Sequence, residues 1–257
     1  MSILDHIKTT GAIAPRITIY GAPGIGKSSL ANQFPDPLFL LTEQSGLVGI
    51  KAIQPPSTLA QMWENTKSLY ELEKLPFKTL IVDSISKLDQ LVIDHILAKE
   101  KPNKEGKKPS SLATACGGYG AGFQAAQQLH RGFKAILDKF QDRGVTVIYI
   151  GHLSTVKHKA PDLEDFDKYS IIMNSEKSRE PYIDDVDCVL FCKLRSYLSE
   201  TENGRTLIKS TEDRILITGV SDGHVSKNRF SMPAELAMSF NDISKYIPFY
   251  TGEDNEF

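Results

Sequence analysis

Short apolar runs alternate with helix-like segments through the first 150 residues. Four runs rich in β-branched and aliphatic residues predict buried strands, at about 16–20, 38–42, 79–83 and 145–150. The segments between them carry apolar residues at helical spacing and predict helices, one directly after the first strand and others at about 58–74, 84–99 and 119–142. Strands that alternate with helices indicate an α/β fold with a mostly parallel central sheet flanked by helices.

The rest of the pattern is less regular. Residues 2–10 predict a short lead-in helix, and two polar stretches, at about 99–120 and 153–181, predict long loops. Four short apolar runs predict an antiparallel C-terminal extension of the sheet, at about 186–192, 194–199, 205–209 and 214–218. A helix is expected from Pro233. Because no repeat or linker is visible, we expect one domain over 1–257, with its core at about 15–240.

The first predicted strand runs directly into a glycine-rich loop. Its sequence, Gly21-Ala22-Pro23-Gly24-Ile25-Gly26-Lys27-Ser28-Ser29, fits the pattern G-x-x-x-x-G-K-[ST] between a strand and a helix. Glycines let consecutive backbone N–H groups turn around a phosphate, and the next helix points its partly positive end at the same place. Lys27 adds a charge for the β- and γ-phosphates, and Ser28 offers a hydroxyl to Mg²⁺. The loop therefore predicts binding of a nucleoside triphosphate, expected to be ATP with Mg²⁺.

Three further polar residues follow predicted strands. Asp83 ends the third strand, where a carboxylate can hold the Mg²⁺ shell together with Ser28. Glu43 follows the second strand and is the candidate general base, because Ser84 and not a glutamate comes after Asp83. His152 follows the fourth strand and is a candidate γ-phosphate sensor. The carboxyl ends of parallel strands share one rim, so we expect these residues to meet at the loop. A solvated turn glutamate and a plain surface histidine are the alternatives.

Composition narrows the class of protein. The formal net charge of -2 argues against a surface that coats nucleic acid, but it leaves local basic loops possible. Three cysteines predict reduced thiols, and Cys188 and Cys192, in an apolar run, favour buried thiols over a metal site. No apolar run reaches the length of a membrane span, and the first residues lack a signal-peptide pattern. We expect a cytoplasmic protein with no membrane partner.

These motifs together resemble the RecA-type ATPase core. The run Leu38-Phe39-Leu40-Leu41-Thr42-Glu43 resembles the strand that carries the catalytic glutamate of archaeal RadA recombinases, and Leu80-Ile81-Val82-Asp83-Ser84 resembles the metal-binding strand of that family. Lys227-Asn228-Arg229-Phe230 is similar to the Lys-Asn-Arg-Phe-Gly motif of bacterial RadA and to the Lys-Asn-Arg segment of DnaB-type ring helicases, with Ser231 in place of the glycine. The resemblance implies that Lys227 and Arg229 are catalytic fingers that reach the γ-phosphate of a neighbouring subunit.

The layout over about 15–240 most resembles small phage-encoded ATP-binding proteins, the Sak-type single-strand annealing recombinases. That resemblance implies an ATPase of the bacterial host cytoplasm that binds single-stranded DNA and assembles head to tail into a ring or filament, with a single-strand-binding protein as a further partner. It also assigns the two long loops to DNA contact, although acidic residues interrupt both. The candidates are basic and aromatic residues, namely Lys99, Lys101, Lys104, Lys107, Lys108 and Tyr119 in the first loop and Lys157, His158, Lys159, Lys168, Tyr169, Lys177 and Arg179 in the second.

Three functions follow from these observations. The first is a recombination protein whose DNA-binding state ATP stabilises and hydrolysis releases. The second is a ring motor that translocates along DNA, which strand-displacement activity would favour. The third is an ATP-switched adaptor that binds protein and not DNA, and unchanged DNA affinity after removal of the lysines of 99–108 would support it.

Overall fold

The computed structural model describes residues 11–102, 106–159, 164–200 and 206–252, without the side chains of 198–200 and 206–210. The lead-in helix expected over 2–10, and Lys104 in the first predicted loop, lie outside these residues.

Strands and helices are interspersed as far as β5, and strands dominate afterwards. The strands are β1 (Arg16–Gly21), β2 (Pro37–Leu41), β3 (Ala52–Ile53), β4 (Thr79–Asp83), β5 (Thr146–His158), β6 (Phe166–Ile171), β7 (Cys188–Glu200), β8 (Thr206–Ile217), β9 (Lys227–Asn228) and β10 (Glu235–Ala237). The helices are α1 (Lys27–Ala31), α2 (Leu59–Tyr70), α3 (Ile85–Lys99), α4 (Ala121–Asp138), α5 (Glu176–Arg179), α6 (Phe240–Ser244) and α7 (Pro248–Thr251). Thr58 caps α2 and Ser84 caps α3, each through its side-chain oxygen.

Eight of these strands form a sheet in the order β10-β8-β7-β1-β5-β4-β2-β3, while β6 pairs with β5 and β9 pairs with β7. The six strands from β7 to β3 in that order are parallel, whereas β8 and β10 extend the sheet with antiparallel pairs. Gly21 lies level with His152, and Asp83 lies level with Leu41. The carboxyl ends of β1, β2 and β4 therefore share one rim with His152, which lies at mid-strand in β5. The mostly parallel α/β class and its antiparallel C-terminal extension are confirmed.

Each face of the sheet packs against its own layer of helices. Ile17 and Ile19 of β1 are fully buried on one face, with Leu30 of α1 and Ile243 of α6. The opposite face carries Tyr20 of β1 and packs against α2, α3 and α4. Burial on both faces explains why the central strands read as continuous apolar runs, since each fully buried side chain of this kind contributes about 1.5–3 kcal/mol.

The predicted second loop is wrong in its first half. The strand expected to end near 150 continues to His158, and its residues 153–158 pair antiparallel with residues 166–171 of β6, as the two strands of a β-hairpin. The runs expected at 186–199 likewise form one strand, β7, with an irregularity between Leu194 and Ser196, and those at 205–218 form β8. The segment after Pro233 begins with a short strand, β10, before its helices. These hairpins extend beyond the core, where polar residues alternate with few apolar ones and the strand pattern is weak.

Candidate functional site

The glycine-rich loop lies between β1 and α1. Gly24 has a φ of 74° and Gly26 a φ of 99°, values that favour glycine. Gly21 is required for a different reason, because a Cβ atom there would lie 2.4 Å from the backbone oxygen of Cys192 on the neighbouring strand. Close strand contact at Gly21 and two left-handed glycines therefore set the path of the loop.

Lys27 begins α1 and is almost completely buried. Its Nζ donates hydrogen bonds to the carbonyl oxygens of Gly21 (2.9 Å) and Ala22 (3.0 Å). Burial lowers the pKa of Lys27, and the nearby Cys192, Asp83 and Glu43 oppose that shift. The ammonium therefore lies inside the loop, at the end of β1.

Ser28 and Asp83 meet although 55 residues separate them in the sequence. The Ser28 hydroxyl donates to Asp83 Oδ2 at 2.7 Å. Burial raises the pKa of Asp83, and the hydrogen bond from Ser28 opposes the shift. A hydroxyl and a carboxylate are hard oxygen donors of the kind that Mg²⁺ prefers, so this pair fits that ion.

Glu43 lies two residues beyond the end of β2, beside the end of β4. Its Oε1 accepts a hydrogen bond from the Ser84 hydroxyl at 3.3 Å and lies 3.3 Å from His152 Nε2. Thr42 and Ser84 exchange two hydrogen bonds, from Ser84 N–H to Thr42 Oγ1 (2.7 Å) and from Thr42 Oγ1 to the Ser84 carbonyl (2.8 Å). The Thr42 N–H also donates to the carbonyl of Asp83 at 2.8 Å. The sequence motifs include Thr42 and Ser84 but predict no contact between them, and the adjacency of β2 and β4 is what brings them together.

One cavity of about 430 Å³ collects most of the predicted catalytic and phosphate-binding residues. Its lining includes Pro23, Gly24, Gly26, Lys27, Ser28, Ser29, Glu43, Asp83 and His152. The chemical groups are a buried ammonium, a hydroxyl–carboxylate pair, a second carboxylate and an imidazole. The arrangement can hold a polyphosphate and a cation beside a carboxylate that accepts hydrogen bonds.

The predicted fingers lie far from this cavity in the same chain. Asn228, between them, lies opposite Cys188, which lies opposite Ile17 near the start of β1. The length of β1, roughly 17 Å, therefore separates them from the loop. Lys227 Nζ donates to the Asp184 carbonyl at 2.5 Å, and Arg229 lies 3.2 Å from Asp187 Oδ1. Burial and the adjacent guanidinium lower the pKa of Lys227.

The predicted DNA-contact residues fall in several places. Lys101, Lys107 and Lys108 line a cavity of about 420 Å³ together with Glu100. A second groove, of about 540 Å³, has both basic and acidic lining residues, Lys157, His158, Lys168, Lys177, Arg179, Glu176, Glu180 and Asp184. Tyr119 and Lys159 are exposed, whereas Lys99, at the end of α3, lines a different groove with Trp63 and His95. Tyr169 packs against Phe191 instead of joining the lysines.

Arg214 is a residue that sequence reasoning missed. It lies near the end of β8, and a Cβ atom on Gly26 would lie 2.9 Å from its Nη1. Among the described residues its guanidinium has no hydrogen-bond or ion-pair partner. No sequence motif marks Arg214, because pairing of β8 with β7 brings it to the loop from almost 190 residues away.

Cys188 and Cys192 are buried and unpaired in β7. Burial raises the pKa of each thiol to about 12, which favours the protonated form. Within the described ranges, no cluster of three or more His, Cys, Asp or Glu side chains is arranged to hold a metal ion. Over the same part of the chain, no helix combines the length and apolar character needed to cross a membrane.

Comparisons with known proteins place the chain in a family. A family model described as an AAA domain matches residues 13–230, whereas comparison with curated proteins finds no match. Among solved structures, the RadB recombinase matches at 12% identity over 80% of this chain and 81% of that one, with a TM-score of 0.39. A KaiC-like protein of the archaeon Pyrococcus horikoshii OT3 matches at 14% identity over 79% of this chain and 78% of that one, with a TM-score of 0.36.

Both structural similarities are distant, and neither enters the assignment. The AAA domain model covers the phosphate loop and every strand that carries a residue of the cavity. The chain therefore belongs to the AAA domain family and is a P-loop ATPase domain.

Proposed function

We propose that this ATPase is a RecA-like recombination protein that binds single-stranded DNA and uses ATP to control that binding. The observation that carries the proposal is the convergence of Lys27, Ser28, Asp83, Glu43 and His152 at one cavity. The strand that carries His152 continues directly into the β5–β6 hairpin, where basic side chains are exposed to solvent. Strand β5 therefore connects the nucleotide cavity, which His152 lines, with the proposed DNA-binding hairpin.

The chemistry of hydrolysis follows from the groups around the cavity. Lys27 and the backbone N–H groups of the loop bind the β- and γ-phosphates, and Ser28 and Asp83 would hold Mg²⁺, which neutralises phosphate charge when bound. Glu43 orients a water molecule and accepts its proton. The water oxygen forms a bond to the γ-phosphorus while the bond to the bridging oxygen breaks, and ADP leaves with that electron pair.

His152 connects the reacting end of the nucleotide to the hairpin. Its Nε2 lies 3.3 Å from Glu43 Oε1, and its backbone N–H donates to the Ser86 hydroxyl at 3.0 Å. A γ-phosphate beside Glu43 changes the charge that faces this imidazole. His152 therefore acts as the sensor, and the residues after it in β5 transmit the change to Lys157 and the rest of the hairpin.

Lys227 and Arg229 complete the site of a neighbouring subunit. Both are exposed or partly exposed, and they lie at the end of the sheet where β1 begins, whereas their own phosphate loop lies where β1 ends. A head-to-tail contact brings that end of one subunit to the phosphate loop of the next subunit. Repetition of such a contact gives a ring or a filament. The same two cations then stabilise charge on the transferring phosphoryl group.

The direct test is fluorescence anisotropy of a labelled single-stranded oligonucleotide, with and without a slowly hydrolysed ATP analogue, at two salt concentrations. We expect tighter binding with the analogue and weaker binding at the higher salt concentration. Lys27→Ala is expected to lose the effect of the analogue. Absence of DNA binding by the wild-type chain in every condition would contradict the proposal and favour the adaptor function.

Mixing two inactive variants tests the shared site. Lys27→Ala removes the cation of the phosphate loop but keeps both fingers. Arg229→Ala removes one finger but keeps the phosphate loop intact. In a one-to-one mixture roughly a quarter of the interfaces pair an intact loop with intact fingers, so part of the ATPase activity returns. A mixture that stays as inactive as its components would contradict completion by a neighbour.

Annealing and unwinding assays separate the finer assignments. A single-strand annealing protein accelerates pairing of complementary strands without displacing a strand from a duplex. ATP-dependent strand displacement would instead identify the ring motor. The single-strand annealing activity, the phage origin and a single-strand-binding protein as partner rest on the sequence resemblance.

A further inference from the structure

A groove of about 590 Å³ adjoins the phosphate loop and shares Pro23 and Gly24 with the lining of the nucleotide cavity. Ala22, Pro23, Gly24 and Ile25 form one wall. The other walls come from the β5–β6 hairpin and from the β7–β8 hairpin, which contributes residues 191–194, Ser196 and Arg214. A ligand in this groove would therefore contact residues of the phosphate loop.

The charged lining of this groove is entirely basic within the described residues. Lys193 and Arg214 line it, and no aspartate or glutamate does. The two grooves that contain the predicted DNA-contact lysines differ, because Glu100 lines one and Glu176, Glu180 and Asp184 line the other. In a chain with a formal net charge of -2, a groove without acids is selectively suited to an anionic ligand.

Arg214 is held beside the loop without a counter-ion. Arg195, on the adjacent strand, is paired with Glu235 at 2.5 Å, whereas Arg214 has no such partner in the described part of the chain. A Cβ atom on Gly26 would lie 2.9 Å from Arg214 Nη1, so the guanidinium is close to the residue that precedes α1. A guanidinium without a counter-ion can form a charge-assisted hydrogen bond to a phosphate oxygen.

Tyr169 supplies a flat apolar surface in the same groove. Its side chain is 47% exposed, and its ring lies 5.4 Å from that of Phe191, which stacks on Tyr20 at 4.9 Å. The Tyr169 N–H donates to the Gly223 carbonyl at 2.9 Å, and the Tyr169 carbonyl accepts from the Val225 N–H at 3.0 Å. Phe191 and the backbone hydrogen bonds therefore position the ring, and its exposed surface can stack on a nucleic-acid base.

We propose that this groove binds a segment of single-stranded DNA, with Arg214 and Lys193 on backbone phosphates and Tyr169 stacked on a base. The inference rests on the proposed DNA-binding function and moves the principal contact from the lysines of the two predicted loops to the wall of the phosphate loop. DNA and ATP would then both contact the phosphate loop at Pro23 and Gly24. Binding of one ligand stabilises the loop conformation that the other ligand needs.

The test compares charge removal inside and outside the groove. Lys193→Gln with Arg214→Gln removes both groove cations, and Arg195→Gln is the matched control on the same strand pair. The probe is a fluorescein-labelled mixed-sequence single-stranded oligonucleotide, titrated by anisotropy over several salt concentrations with the slowly hydrolysed analogue. We expect the double variant to lose at least about tenfold in affinity and to reduce the salt slope by about 2, while the control stays within about twofold.

Tyr169 variants test stacking separately from charge. Tyr169→Ala is expected to weaken DNA binding by about tenfold, whereas Tyr169→Phe retains the ring and stays near the wild-type affinity. Equal loss in both variants would contradict stacking on Tyr169. Wild-type DNA affinity in the double variant would overturn the inference, and so would equal losses in the double variant and in Arg195→Gln.

Two further results distinguish the inference from the function on which it rests. Failure of the wild-type chain to bind the oligonucleotide would overturn both. Loss of DNA binding in Lys157→Gln with Lys168→Gln, but not in the groove variants, would overturn the groove and leave the function intact. Loss of affinity for fluorescent ATP in the groove variants, with DNA affinity unchanged, would assign the groove to the mononucleotide and overturn the inference.

Discussion

Thr42 and Ser84 exchange two buried hydrogen bonds, and each residue is next to a carboxylate of the nucleotide cavity. Thr42 precedes Glu43, and Ser84 follows Asp83, so the pair fixes the spacing of the two carboxylates across β2 and β4. Ser84 adds a hydrogen bond to Glu43 itself. This connection explains how a glutamate beyond the end of its strand can be held beside the hydrogen-bonded pair of Ser28 and Asp83.

Thr42→Val removes both hydrogen bonds while keeping the shape of the side chain. We expect kcat for ATP hydrolysis to fall about 10- to 100-fold with little change in KM, because Glu43 loses its position and the phosphate loop does not. Thr42→Ser retains the hydroxyl and is expected to restore most of the rate. Steady-state ATPase kinetics give this comparison.

Thr79→Val is the matched control for that variant. Thr79 is buried at the opposite end of β4, where its hydroxyl donates to the Pro35 carbonyl at 2.8 Å. Thr79→Val loses a hydrogen bond of the same kind far from the cavity. We therefore expect its free energy of unfolding to fall while its kcat stays unchanged. Equal losses of kcat in the two valine variants would show that Thr42 has a structural role only.

Gly21→Ala tests the close contact between β1 and β7. A Cβ atom at this position would lie 2.4 Å from the backbone oxygen of Cys192, and a backbone group cannot move aside as a flexible side chain can. We expect a loss of about 1–3 kcal/mol in the free energy of unfolding, measured by urea denaturation. Gly46→Ala, with open space around its Cβ position, is expected to be neutral. Wild-type stability of Gly21→Ala would contradict the described strand contact.

Asp83→Asn tests whether burial of this carboxylate makes the stability of the protein depend on pH. Burial raises the pKa of Asp83 above its usual value of 3.8, so the folded wild-type protein loses stability as pH rises through the folded pKa. Asparagine has no such penalty. Without nucleotide or Mg²⁺, we expect the variant to melt about 2–4 °C higher at pH 8, with the difference shrinking as pH falls towards 4.

Mg²⁺ with ADP is expected to reverse that order. The ligand pair stabilises the wild-type protein through Asp83 and Ser28, and the variant gains less because its amide carries no charge. Differential scanning fluorimetry with and without Mg²⁺ measures both effects. An Asp83→Asn variant that gains as much as the wild type from Mg²⁺ and ADP would contradict the metal assignment.

A buried polar network connects the helices on the side of α3 and α4. His130 lies 2.9 Å from Asp89 Oδ1 and 3.0 Å from the Tyr182 hydroxyl, and the Tyr182 carbonyl accepts from Thr18 of β1 at 2.6 Å. Tyr182→Phe leaves a buried ring nitrogen of His130 unpaired and is expected to cost about 1–3 kcal/mol in urea denaturation. The exposed Tyr197→Phe is the control, and an unchanged unfolding midpoint in Tyr182→Phe would contradict a stabilising network.

The sequence predicts the parallel core well because two-sided burial produces unbroken apolar runs, as in Leu80 to Val82. The strand ends are also predictable, since polar residues such as Asp83 appear abruptly after such runs. The β5–β6 pair is not predictable in the same way, because Val156 and its neighbours alternate weakly outside the core. Arg214 and the Thr42–Ser84 pair depend on which strands are neighbours in the sheet, and local sequence carries no signal for that.

Glu43→Gln tests whether Glu43 is the general base of ATP hydrolysis. Steady-state turnover is measured beside equilibrium binding of a fluorescent ATP analogue, with the exposed Glu71→Gln as control. If Glu43 is the base, we expect a loss of at least about 100-fold in kcat with analogue affinity unchanged. Turnover within about twofold of the wild type would contradict it.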